Sequence, residues 1–417
     1  MKKDGYPYLK WRQIFSLPVL FFVYNICTGK ESNGFKNRGE YLVMMIAELI
    51  KKNENYRCSG INLIASENRA SKIVLDALSS DFGGRYGDEW YGGSRYARDL
   101  CMEVEALAKK VFKARYVFIT PLSGNLCDLA ILFSFTHPGD TIAGIKKEDG
   151  GYPLGYEKFQ RKLVPIPVQN YRIDVSATKK KIIDVPLTIL GSSVIPFPHP
   201  VKEFTARQFG VLAYDGSHVL GLIAGGEFQD PLGEGADICM GSTHKSFPGP
   251  QGGIVMTNSW EKAQMLQKML CFDFEEGIGL VDNPHLHRIA ALGLALQEMK
   301  DHGKKYARQI IKNAQALAHG LEDVGVPLKL SEFGYTRSHQ LLLNLSSDDA
   351  QRICHRLEKF RIFIDISGRI GVAEVTHRGM KEKEMGKIAQ LIGTIVHGKK
   401  TSATLMEVER LATSFNE

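Results

Sequence analysis

The chain has 417 residues and carries 53 basic against 46 acidic side chains, a formal charge of +7. Its length predicts two or three domains whose cores need no disulfide or metal staple, and 44% hydrophobic with 24% charged residues excludes a disordered, collagenous or fibrous chain. A surplus of +7 over this length is too dilute to point to nucleic acid; an anionic cofactor or substrate suits it as well.

The chain opens with a basic stretch, Met1 to Arg12, followed by the apolar run Ile14 to Cys27. The run has the length of a signal-peptide core but no A-x-A-like cleavage site, and it is short for a bilayer span. It reads as an extension docked on the body or an early start codon rather than a targeting or membrane-surface segment. From Glu40 to Lys52, Leu42, Met45, Ile46, Leu49 and Ile50 recur at helical spacing and predict an arm that packs one face on something else. Arg98 to Phe112 is helical by the same test. Strand-like runs follow at Tyr116–Thr120, Thr141–Ile145, Leu163–Val168, Leu187–Leu190, Val211–Asp215, Asp237–Met240 and Gly253–Thr257, separated by helical or loop segments. Such alternation predicts an α/β architecture with a mainly parallel sheet covered on both faces, which places ligands at the carboxyl ends of its strands. After about residue 285 the pattern changes. Two long helices are expected over Leu286–Asp301 and Lys304–Val324, then strands near Gln340–Leu345 and Arg361–Ile366 and a last helix over Met380–Val396. The expected domains are therefore an N-terminal extension (1–38), a helical arm (39–60), a large domain (61–284) and a smaller α+β domain (285–417).

Seven cysteines, odd in number, scattered and never in a C-x-x-C pair, disfavour a disulfide framework or zinc site and fit a reducing cytosol. A cytoplasmic location is expected, with no membrane partner.

The chemistry concentrates in Gly241-Ser242-Thr243-His244-Lys245-Ser246-Phe247-Pro248-Gly249-Pro250, directly after an expected strand. A lysine in a turn stiffened by glycine and proline is placed to be a fixed nucleophile. Upstream, Val211–Tyr214 ends in Asp215, then Gly216-Ser217-His218. A Schiff-base lysine paired with a carboxylate that keeps a pyridine nitrogen protonated is what pyridoxal phosphate chemistry requires. The phosphate needs donors at a helix start, and Ser123-Gly124-Asn125 offers them between a strand and an apolar helix.

With these residues in place, the sequence resembles the serine hydroxymethyltransferase family, closest to its archaeal type, from about Ile61 to the C-terminus. The resemblance is carried by Leu63-Ile64-Ala65-Ser66-Glu67-Asn68, Tyr91-Gly92-Gly93, Tyr214-Asp215-Gly216-Ser217-His218-Val219-Leu220-Gly221-Leu222, the Thr243-His244-Lys245 segment and Ser338-His339-Gln340. It implies the type I pyridoxal phosphate fold, with a seven-stranded sheet in the large domain and a smaller C-terminal domain. It also implies roles. Lys245 would hold pyridoxal 5'-phosphate as a Schiff base, Asp215 would pair with the ring nitrogen, and His218 and Ser193 would lie near the ring hydroxyl. Ser123, Gly124 and Asn125 would hold the phosphate, with Thr243 beside the lysine. Arg369 would clamp the substrate carboxylate with help from Ser66, and Tyr91 would enter a partner's site, so a homodimer with shared sites is implied.

The sequence departs from this family in three places. The histidine that stacks on the cofactor ring is replaced by Tyr152, which keeps an aromatic face and loses a group titrating near neutrality. A glutamate serving proton transfer and the folate falls at Gly83, with Asp81 and Glu89 nearby but out of register. The long pterin-contacting loop before Arg369 is missing. Glu374, where the family has a small or neutral residue, is read as a surface charge or a contact to a polar substrate group. The expected activity is reversible Cα–Cβ cleavage or formation in a serine- or threonine-like amino acid, with use of tetrahydrofolate or a related pterin in doubt. The alternatives are β-elimination or decarboxylation of a modified amino acid, or a degenerate subunit without activity.

Overall fold

A computed structural model describes residues 35–182, 184–273, 275, 277–398 and 402–415. The apolar run Ile14–Cys27, and with it most of the expected extension, lies outside the described residues. The described residues divide into two units, parting between Arg57 and Cys58. The first described element is a helix, Phe35–Cys58, longer at both ends than its apolar periodicity predicts.

In the second unit the strands are β1 (Ile61–Asn62), β2 (Tyr116–Phe118), β3 (Thr141–Gly144), β4 (Lys162–Pro165), β5 (Val168–Gln169), β6 (Arg172–Ile173), β7 (Leu187–Gly191), β8 (Val211–Asp215), β9 (Ile238–Ser242), β10 (Gly253–Thr257), β11 (Gln340–Leu342), β12 (Ile362–Phe363) and β13 (Arg369–Gly371). Seven of them form one sheet in the order β2-β10-β9-β8-β7-β3-β4. Its pairs are parallel except those of β10, which runs antiparallel to β9 and β2. Strands β7, β9 and β10 are buried along their whole length, the continuous apolar pattern of a sheet covered on both faces. One face packs helices Arg95–Phe112 and Leu286–Asp323 through Val104, Ala108, Ile289, Leu292 and Leu296; the other packs helix Gly124–Phe135 through Cys127, Ala130 and Ile131.

Several elements differ from expectation. The run expected as one strand over Leu163–Val168 divides into β4 and a hairpin of β5 with β6. The two helices expected around residue 302 are a single helix of 38 residues. Gly303 does not break it; a side chain at the facing Gly225 would meet the Gly303 carbonyl at 2.5 Å, so these glycines allow a close backbone approach. The strand expected over Arg361–Ile366 shrinks to the two residues of β12, which pair with β1 and bring the chain start of this unit against its end. A final helix, Ser402–Thr413, had no sequence expectation. Among the described residues no helix is long and apolar enough to cross a membrane.

Candidate active site

Parallel strands β7, β8 and β9 end side by side at Gly191, Asp215 and Ser242. The residues just beyond them therefore share one place. Ser192 and Ser193 follow β7, Ser217 and His218 follow β8, and Lys245 follows β9; with Gly124, Asn125, Asp128 and Tyr152 they line one cavity. Gly191 stands opposite Asp215 in register, and a Cβ there would lie 2.5 Å from the Asp215 side chain, so glycine makes room for the carboxylate. One carboxylate oxygen accepts from the Ser217 backbone N–H at 2.8 Å.

Lys245 is held from behind. The Asn68 amide donates to the Lys245 carbonyl at 2.7 Å and to Tyr306 at 3.0 Å, and Tyr306 donates to the Ser246 carbonyl at 2.9 Å. The Lys245 Nζ lies 3.3 Å from His218 Nε2. Burial lowers the lysine's pKa below its ordinary value and Arg369 adds to this, while Asp215 and Asp128 oppose it. A larger fraction of free amine is the result, which is the nucleophilic form. Burial, then the charges of Lys245 and Arg369, drives the His218 pKa well down, so its ring is neutral.

The helix Gly124–Phe135 aims its N-terminus at the cavity. Ser123 caps it by accepting from the Leu126 N–H at 3.1 Å, and Gly124 packs so closely on β9 that a Cβ would meet Ser242 Oγ at 2.3 Å. The Tyr152 hydroxyl donates to Asn125 Oδ1 at 3.1 Å, which ties the aromatic wall to the helix start. Burial and the two carboxylates raise the Tyr152 pKa, so its ring is neutral at physiological pH.

Arg369 approaches from β13. Asp365 takes its Nε at 2.8 Å and the Ser193 carbonyl accepts from Nη1, which leaves the Nη2 end of the fork to a ligand. The loop carrying Ser66 is pressed onto the same strand: Gly371 donates to Leu63 O at 2.8 Å, and a Cβ on Gly371 would lie 2.4 Å from the Ala65 Cα.

Not every candidate enters the cavity. Thr243 is fully buried and its hydroxyl donates to the Pro250 carbonyl at 2.7 Å, closing the lysine turn. Tyr91 is 40% exposed and stacks on Tyr86 with centroids 4.7 Å apart. Glu374 is not a surface charge: it is buried and accepts from the Asn62 amide at 2.6 Å. Sequence reasoning missed Asp128, which lines the cavity and is 4% exposed. It sits four residues after Gly124 on one helix face, a spacing that would have found it. Burial and the Asp215 charge raise its pKa well above the carboxylate range, against the opposing pull of Lys245.

The cavity's donors suit pyridoxal phosphate: a buried amine for its aldehyde, a carboxylate for its ring nitrogen, and unpaired helix N–H groups for its phosphate. The comparisons agree. The serine hydroxymethyltransferase family model matches residues 42–392. The serine hydroxymethyltransferase of Methanothermobacter thermautotrophicus is 40% identical over 386 residues, 84% of this chain and 89% of that protein. That of Pyrococcus furiosus is 36% identical over 392 residues, 85% of this chain and 90% of its own. The crystal structure of L-threonine transaldolase from Pseudomonas fluorescens superposes with a TM-score of 0.83 at 26% identity, covering 92% of this chain and 94% of that one. The chain belongs to the serine hydroxymethyltransferase family, with the type I fold of pyridoxal phosphate transferases, and is a pyridoxal phosphate-dependent enzyme that makes or breaks a Cα–Cβ bond.

Proposed function

We propose that this enzyme joins and splits glycine and an aldehyde, acting on β-hydroxy amino acids of the serine and threonine type, without needing a tetrahydropterin. The observation that carries the reading is an asymmetry. The amino-acid half is complete, while no carboxylate stands at Gly83, an exposed position. Asp81 is occupied by a two-point ion pair with Arg85 at 2.7 and 2.8 Å, and this partner lowers its pKa, which weakens it as a base. Glu89 lies 3.8 Å from Arg98 on the surface. The connection from Asp365 to Arg369 is one tight turn, with Asp365 accepting from the Ser367 and Arg369 N–H groups at 3.1 and 3.2 Å, so no loop remains there to cover a pterin.

In this reading Lys245 carries the cofactor, Asp215 faces its ring nitrogen, and the N–H groups of Gly124 and Asn125 with the Ser123 hydroxyl hold its phosphate. Bound there, pyridoxal phosphate supplies an electron sink for a carbanion at the substrate Cα. Tyr152 would cover the ring face, His218 and Ser193 would lie at its hydroxyl edge, and Thr243 keeps the lysine turn closed. Arg369 would take the substrate carboxylate in a planar fork, with Ser66 beside it, and so hold the substrate in one orientation. The likeness to a threonine transaldolase supports a β-hydroxy amino acid as the substrate.

The exposed aromatic run Tyr86, Trp90, Tyr91 and Tyr96 supports a homodimer in which Tyr91 completes the partner's site. Six free cysteines among the described residues support a cytoplasmic location.

The test is α-proton exchange of glycine in deuterated water, with and without tetrahydrofolate, alongside aldehyde release from threonine. Exchange and release at equal rates with and without the carrier are expected. Acceleration of about tenfold or more by tetrahydrofolate overturns the pterin-independent reading. Absence of both reactions, with carbon dioxide or keto acid formed from another amino acid, overturns the choice of bond.

A further inference from the structure

Behind His218 stands Gln340, the first residue of β11, fully buried. Its amide has three partners. The Ile195 backbone N–H donates to Oε1 at 2.7 Å, and Nε2 donates to the Ser193 carbonyl at 3.0 Å. A backbone N–H can only donate and a carbonyl only accept, so these two neighbours settle which end of the amide is oxygen. The second Nε2 proton then points at His218 Nδ1, 3.0 Å away. That nitrogen must present its lone pair. In a neutral imidazole the proton is therefore on Nε2, the atom 3.3 Å from Lys245 Nζ.

We propose that Gln340 is a positioning residue that locks His218 in its Nε2–H tautomer, so that the ring always offers a proton, and never a lone pair, to the group carried by Lys245. The charged or titratable groups facing His218 are Lys245 from the turn after β9, Arg369 from β13 and His339 just before β11, of which Arg369 is the fixed cation. His339 lies parallel to the ring with centroids 6.0 Å apart and is itself driven by burial to a pKa of about 4. A second proton on His218 would meet the Arg369 charge and the Gln340 N–H together. The Ala65 carbonyl alone pulls the other way, toward a protonated ring, and is outweighed by burial. Without cofactor the same bond makes Lys245 the acceptor, which only a neutral amine can be.

The proposal rests on the reading that Lys245 carries the cofactor. It is tested by titrating the visible absorption of the holoenzyme between about pH 6 and 9 for the wild type, Gln340→Met and Gln340→Glu. Methionine releases Nδ1 and lets both tautomers form, so the ratio of the long- to short-wavelength bands is expected to fall about threefold to tenfold, the worth of one hydrogen bond. Glutamate accepts from Nδ1–H and strengthens the ring's hold on a second proton, so a pH-dependent step absent from the wild type is expected. Variants that bind cofactor and titrate as the wild type overturn the proposal. Nitrogen NMR of the histidine-labelled wild-type holoenzyme, with His218→Asn for assignment, needs no Gln340 variant: a neutral ring with its proton on Nδ1 overturns it. A wild type with no visible band removes the reading of Lys245 instead, so the two failures are distinguishable.

Discussion

Asp215, His218 and Gln340 are buried in a framework of backbone hydrogen bonds at the ends of three adjoining strands and β11, while Gly83, Tyr86, Trp90 and Tyr91 stand on an exposed stretch where Tyr86 stacks on Tyr91. The first group gains from low dielectric: each charge is worth more there, and each misplacement costs more. The second group is far more open: Trp90 is 70% exposed. Chemistry that needs fixed geometry thus lies in the floor, and any one-carbon carrier would have to be met at the rim. Variants in the floor should abolish or rescale the reaction; variants in the rim should act through assembly.

The largest effect is expected for Lys245→Ala. It should remove the visible absorption of the purified protein and lower the rate by roughly 10⁴-fold or more, as for other covalent nucleophiles. A coloured, active variant would break the assignment of the floor. Next is Arg369→Ala. Loss of charge-assisted bonds worth about 2–3 kcal/mol should raise KM for an α-amino acid roughly 30- to 150-fold. Arg369→Lys should recover only part, because a point charge cannot reproduce the fork held by Asp365 at 2.8 Å. An unchanged KM would remove the clamp.

For the rim, Tyr91→Ala should cost about tenfold or more in kcat with the cofactor spectrum intact. Mixed with Lys245→Ala protein under conditions that exchange subunits, it should regain activity, because one kind of site in the mixed dimer then has both residues. No regain would place Tyr91 outside the partner's site and leave the rim without a catalytic share.

How far the sequence revealed this division depends on direction as much as position. Lys245 and Asp215 were legible because each lies at or just beyond the carboxyl end of a strand in an alternating chain, and parallel strands gather those ends. Thr243 is as close to the lysine in sequence, yet its hydroxyl is turned onto Pro250, a matter of the turn's backbone that composition does not encode. Glu374 looked like a stray charge because its partner, Asn62, lies 312 residues away. Gly303 read as a helix boundary because the close approach it permits, to Gly225, is tertiary. Asp128 was hidden for another reason. The helix Gly124–Phe135 is apolar on almost every side, so no polar face directs the eye to the one acid that meets the cavity.

That acid gives the smallest and most specific prediction. Asp128 has its folded pKa raised by burial and by Asp215. A carboxyl raised in this way keeps its full contribution to stability only below its unfolded pKa, about 4, and loses it as pH rises toward the folded value, because the unfolded chain releases a proton that the folded chain retains. Cofactor-free wild type should therefore weaken with rising pH relative to Asp128→Asn, which is neutral at every pH and nearly the same shape. The gap should grow by up to about 1.4 kcal/mol per pH unit above pH 4 until the folded carboxyl ionises. Urea denaturation of both proteins at pH 5 and pH 8 reads the difference, and the subtraction cancels the titration of groups that do not feel the charge at residue 128. A gap that does not change with pH would mean that Asp128 ionises freely. The floor of the site would then hold two full negative charges before any cofactor arrives, and the lowered pKa of Lys245 would have to give way to the pull of both carboxylates.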